Sequence, residues 1–153
     1  MSNSSVIDLS KLPTPKVIEE LDYEVLFQEY LSDFTARDEE YDGLLESDPA
    51  IIILEVMAYR EMLVRKRINE SAKATLLAFA TGSDLDQIVA EYGVERLEGE
   101  KDDRLRMRGQ MALDGFSTAG PIDAYKFFAL SASVKVKSVD VRSDEPGKVI
   151  VTI

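Results

Sequence analysis

The spacing of apolar and polar positions divides the chain into a long helical stretch and a short β region. Asp22 is placed to cap a helix of about Tyr23 to Ala36. Leu26, Tyr30 and Phe34, flanked by Phe27 and Leu31, give that helix one apolar stripe. A much longer helix is predicted to begin at Pro49. Asp48 occupies its capping position, and Pro49 stands in the first turn, where a missing N–H costs nothing. Neither proline nor glycine interrupts the next 32 residues, up to Gly82, which reads as the helix stop. Ile51 to Val64 is broadly apolar and so predicts heavy burial. From Arg65 to Thr75 the apolar positions thin to Ile68, Ala72 and Ala74. A helix that narrows in this way leaves its own core and projects, or faces another chain.

SDLD at 83–86 reads as a new N-cap with acidic first-turn residues. The short helix it opens carries Leu85, Ile88, Val89 and Tyr92, and Gly93 ends it. A further helix, about Asp103 to Leu113, has a basic face through Arg104, Arg106 and Arg108. Pro121 opens another, to about Ser131, with Ile122, Tyr125, Phe128 and Ala129 inward. The period then changes to two. Val134, Val136, Val139 and Val141 precede SDEPGK, whose Pro146–Gly147 pair suits a type II turn, and Lys148 to Ile153 returns. The expected fold class is therefore α+β: a mainly helical N-terminal region with one long helix, followed by a C-terminal β-hairpin that would open a larger β domain. The expected organisation is an extended tail at 1–16, a helical domain at 17–132 and the hairpin at 133–153.

Composition narrows the chemistry. The chain of 153 residues has neither cysteine nor histidine, which removes disulfides, thiolates and the commonest general base and zinc ligand. The net charge of −11 resides in one segment: Glu19 to Asp48 holds twelve acidic residues against Arg37 alone, and the remainder is neutral. Such a segment repels phosphate backbones, so no nucleic acid is expected as a partner. No leader is expected at the N-terminus, and no unbroken apolar run exceeds the five residues Ala50–Leu54, so no membrane partner is expected.

Candidate sites were weighed in turn. DEEYDGLLESDP, residues 38–49, places Asp38, Glu40, Asp42, Gly43 and Glu46 on calcium-loop positions 1, 3, 5, 6 and 9. Position 12, which must supply a bidentate glutamate, is Pro49, so the stretch is read as a turn and no metal site is expected. In SDLD, helix capping accounts for the carboxylates. Glu61, Glu70 and Asp114 would serve acid–base chemistry only as buried pairs, and Glu61 stands in ion-pair order with Arg65. Ser117 and Thr118 have no histidine to activate them, and Gly115 and Gly120 lack the phosphate-loop pattern. No catalytic residue, cofactor site or small-molecule substrate emerges.

The wording of the segments is nonetheless specific. LPTPKVIEELDYE, then LLESDPAIIILEVMAYREMLVRKRINESAKATLLAFATGSDLDQIVAEYGVERL, then GFSTAGPIDAYKFFALSAS and the valine hairpin with EPGKV together resemble the baseplate J-like protein family. The resemblance covers about residues 12–153. It implies a non-enzymatic wedge protein of contractile-tailed phage baseplates, or of related injection machines. Its partners would be other wedge proteins and further copies of itself in a six-wedge ring. Its place would be the virion tail baseplate, assembled in the bacterial host cytoplasm or encoded by a prophage. Members usually run on past the hairpin, which implies that this chain is an N-terminal portion. The candidate partner interface is Tyr59, Arg60, Leu63, Lys66 and Arg67, with the cations on or beside the surface that continues a buried stripe of Tyr59 and Leu63. Two other readings stand beside it: an acidic adaptor for a basic partner, and a metal-regulated enzyme, which the lack of histidine and cysteine disfavours.

Overall fold

The computed structural model describes residues 7–38, 40–43, 45–116, 121–145 and 147–153. Within them the architecture is α+β. Helices α1 (Tyr23–Arg37), α2 (Pro49–Ala74), α3 (Gly82–Ala90), α4 (Asp102–Gly115) and α5 (Ile122–Ala132) precede an antiparallel ribbon of β1 (Asp140–Glu145) and β2 (Lys148–Thr152). The chain forms two compact units. One is Thr14–Lys73; the other joins the N-terminal arm up to Pro13 to Ala74–Ile153.

In the first unit both predicted caps form. Asp22 accepts from the backbone N–H of Glu24 at 2.8 Å, and Asp48 accepts from that of Ala50 at 2.8 Å. Asp48 also accepts from the Tyr41 hydroxyl, and the Tyr41 ring meets Phe34 edge-on at 4.9 Å. The acidic stretch before Pro49 is thus tied down as a capping turn. The Tyr30 hydroxyl donates to Glu61, which also accepts from Arg65 Nε at 2.7 Å. Buried Asn69 clips α2 to the entering chain: its Nδ2 donates to Glu19 O at 2.8 Å, and its Oδ1 accepts from Glu19 N at 3.0 Å. The heavy burial expected from Ile51 to Val64 is not found. Only Ile51, Leu54 and Ala58 are buried there, because one thin unit covers one side of the helix.

The second unit has its core in Ala80, Leu85, Val89, Val94, Leu105 and Ala112, with Leu77, Ile88, Tyr92 and Phe127 packed around them. The arm is fastened at Ile7, whose N–H donates to Gln110 Oε1 at 3.0 Å. Around the core the arginines bind backbone carbonyls, and this corrects the expected basic face of α4. Arg104 donates to Leu130 O, Ser133 O and Val134 O at 2.6–2.8 Å, closing the end of α5. Arg106 donates to Leu77 O and Ala80 O at 2.8 Å each. That clamp holds a tight turn after Ala74, so α2 stops there and does not continue to Gly82. Gly82, with φ 54°, opens α3 instead, and the capping position is Thr81 rather than Ser83. Arg108, 3% exposed, donates to Glu100 Oε2 at 2.6 Å, to Glu95 O and to Ser131 Oγ.

Helix α5 turns a different face inward from the one expected. Asp123, Ala124 and Leu130 are buried and Phe127 partly so, whereas Ile122, Tyr125 and Phe128 are exposed. The reason lies on α4: a Cβ on Gly115 would stand 2.7 Å from Phe127 Cδ1, so the bare glycine leaves the slot that Phe127 fills. The valines from Val134 to Val139 precede the strand rather than forming it, since Arg104 holds the carbonyls of Ser133 and Val134. The ribbon pairs Val141 with Val151 and Glu145 with Lys148, and slips register between Arg142 and Glu145. Gly147 takes φ 79°, as a type II turn requires of its third residue. Pro146, and the expected loop residues Ser117, Thr118 and Gly120, lie outside the described residues.

Two outcomes follow. Glu100→Ala leaves buried arginine charge uncompensated and should destabilise the protein by about 3–5 kcal/mol, whereas Glu100→Gln with Arg108→Met should cost less. Urea midpoints measure both, and equal losses would refute the pairing argument. The second outcome concerns the Tyr41–Asp48 bond. That bond pushes the Tyr41 phenol up to about 12 and holds the Asp48 carboxyl below its ordinary range, helped by the Ala50 N–H. Its stabilising effect is complete below the unfolded phenol value of about 10 and is lost as pH rises toward the folded one. At the acid end it is present above the ordinary Asp value and lost as pH falls through the depressed one. An ultraviolet titration should show a late-ionising phenol that vanishes in Tyr41→Phe; an unchanged curve would rule the bond out.

Candidate assembly surface

Helix α2 begins at a capped proline and runs 26 residues without an internal breaker. At 100° per residue, its buried positions Ile51, Leu54, Ala58 and Asn69 form one stripe. Much of the rest of the helix is exposed. Ile52, Val56, Tyr59 and Leu63, spaced four, three and four apart, make one exposed apolar seam. Ile53, Met57, Val64 and Ile68 make a second, roughly 100° further round the helix. The four-and-three spacing is that of helices which pack along a seam with a neighbour.

The five expected interface residues all lie on this uncovered side. Tyr59 is 51% and Leu63 39% exposed, so the buried stripe assigned to them is corrected: burial belongs to Ile51, Leu54, Ala58 and Asn69. Lys66 prolongs the first seam, and Arg60 and Arg67, one heptad apart, punctuate the second. Arg60, Lys66 and Arg67 are exposed and pair with no carboxylate among the described residues. Arg65, by contrast, is spent within the unit on Glu61 and, at 3.5 Å, on Glu19. Ile52, Ile53, Val56, Met57, Val64 and Ile68 are surface residues too, although the apolar pattern does not single them out as such. The signal lies in the number, since eight apolar residues on two further sides are too many for a single inward stripe.

Glu61, Asp86 and Asp48 are engaged in structure, and Glu70 is exposed. Glu61 is held low in pKa by the Tyr30 hydroxyl first and then by Arg65. Asp86 of SDLD pairs with Arg96 at 2.7 Å, and Arg96 pairs in turn with Asp102 at 2.7 Å. Asp48 is occupied by the α2 cap and Tyr41. Among the described residues no group of three or more carboxylates is gathered to hold a metal ion. What the surface offers chemically is apolar area edged with unpaired cations, which suits a protein partner rather than a reaction.

Comparison with known proteins agrees with the sequence wording. A family model, the Baseplate J-like N-terminal domain, matches residues 46–103, which takes in α2, α3 and the Arg96–Glu100 loop. Baseplate protein J of Escherichia phage P2 is 35% identical over 170 aligned residues, covering 97% of this chain and 56% of that protein. The chain therefore spans about half the length of the curated relative it matches. On residues 46–103 and on this identity across nearly its whole length, the chain belongs to the baseplate J-like family.

Proposed function

We propose that this protein is a structural component of a contractile phage tail baseplate, a wedge protein that assembles through protein–protein contacts and catalyses no reaction. It joins other wedge proteins and further copies of itself in a six-wedge ring at the virion tail, assembled in the host cytoplasm. The observation that carries this reading is the pair of uncovered apolar seams on α2, with Tyr59, Arg60, Leu63, Lys66 and Arg67 as the contact residues. Energetics favour contact on both seams. Full burial of a large apolar side chain is worth about 1.5–3 kcal/mol, and these are already half covered, so one seam of four yields about 3–6 kcal/mol. Association itself costs about 4–15 kcal/mol. One seam binds weakly; two, with their charges, hold a subunit in place.

Arg60→Glu with Arg67→Glu should leave the isolated fold nearly as stable, because exposed charges contribute little. The same change should abolish incorporation into a wedge, because reversed charges at a buried contact are costly. Sedimentation of the double variant with the other tail proteins measures this. Normal assembly by a well-folded variant would overturn the assignment of the α2 surface.

A further inference from the structure

We infer that the outer face of α1 in one copy docks on the cationic half of α2 in a second copy. This rests on reading α2 as an assembly surface and names one of its occupants. Glu24, Val25, Gln28, Glu29, Ser32 and Asp33 share the exposed side of α1. Val25 stands uncovered among them, and Glu24, Glu29 and Asp33 form no ion pair among the described residues. Three carboxylates without an ion pair, of which Glu24 accepts only from Gln28, and the exposed Val25 on α1 thus face three unpaired cations beside the apolar seams on α2. The lengths agree as well: at 1.5 Å per residue, Glu24–Asp33 and Arg60–Arg67 span roughly 13 and 10 Å.

The two faces cannot satisfy one another within a copy. The Tyr30–Glu61 bond and the Asn69–Glu19 clip engage the inward sides of α1, the entering chain and α2; Glu29 lies at the edge, near Arg65, whereas Arg60, Lys66 and Arg67 form no ion pair in their own copy among the described residues. Within one sixty-residue unit the chain carries both halves of a contact that only a second copy completes. The contact is heterologous, face to different face, so it propagates into a ring or an open filament rather than closing as a two-fold dimer. The net charge of −11 opposes approach at long range, but at physiological salt that repulsion is screened beyond about 8 Å, leaving the local match to decide.

Sedimentation of the full chain alone, at physiological and high salt, tests the idea. The wild type should associate with concentration, and salt should weaken it. Arg60→Glu with Arg67→Glu, and separately Glu29→Lys with Asp33→Lys, should each weaken association about tenfold or more. Mixing the two variants should restore it, because each then offers the face the other lacks. Glu29→Gln with Asp33→Asn serves as a milder variant, and circular dichroism checks each fold. A wild type monomeric at physiological salt, or variants that fail to rescue one another, would overturn the inference. If Arg60→Glu with Arg67→Glu still blocked assembly with the other tail proteins, the wedge reading would survive that failure.

Discussion

A carboxylate with no exposed surface cannot go unpaired, and Glu100 meets that demand by drawing two arginines into the interior of the larger unit. Arg108 supplies the hydrogen-bonded partner. Arg104 Nε faces the other carboxylate oxygen at 3.5 Å, an ion pair without a formed hydrogen bond. Once there, each guanidinium has donors left over, and helix ends have acceptors left over. Arg104 closes the end of α5 and Arg108 reaches Glu95 O and Ser131, while Arg106 on the opposite side clamps the turn before α3. A loop carboxylate thereby fixes where α4 lies against its neighbours and where α5 ends.

The smaller unit answers a different constraint. It has one long helix with apolar residues on three sides and only one further helix, a capping turn and an irregular entering segment to cover them. The cover goes to a single stripe, and that stripe is finished by a polar residue. Asn69 replaces apolar packing with two reciprocal hydrogen bonds to Glu19, binding the chain by its backbone where side-chain area runs out. The same economy leaves both seams open.

Helix identities and caps were legible in the sequence because they depend on local chemistry. Asp22, Asp48, Pro49 and Pro121 act within a turn of where they stand, and Asp22 and Asp48 cap as their positions predict. What failed to be read depends on distant partners. The end of α2 is set by Arg106, thirty residues on; the inward face of α5 by a missing side chain at Gly115; the start of β1 by Arg104. The arginines misled for the same reason, since a cation that holds a carbonyl and one that faces water share the same letter. On α2 the stretch from Ile51 to Val64 predicts core, yet most of its apolar residues are exposed. An apolar run does not by itself say which of its faces the fold covers.

That ambiguity has a physical consequence for how such a protein persists. Eight apolar side chains in open solvent are a standing aggregation risk. The acidic segment from Glu19 to Asp48 offsets it, because free copies at net −11 repel one another before the seams can meet indiscriminately. Cations at Arg60, Lys66 and Arg67 interrupt that apolar area with opposite charge. At a contact between proteins, charge favours one orientation over another more than it adds raw affinity. A chain built in this way resists indiscriminate clumping while it keeps a large apolar area on its surface.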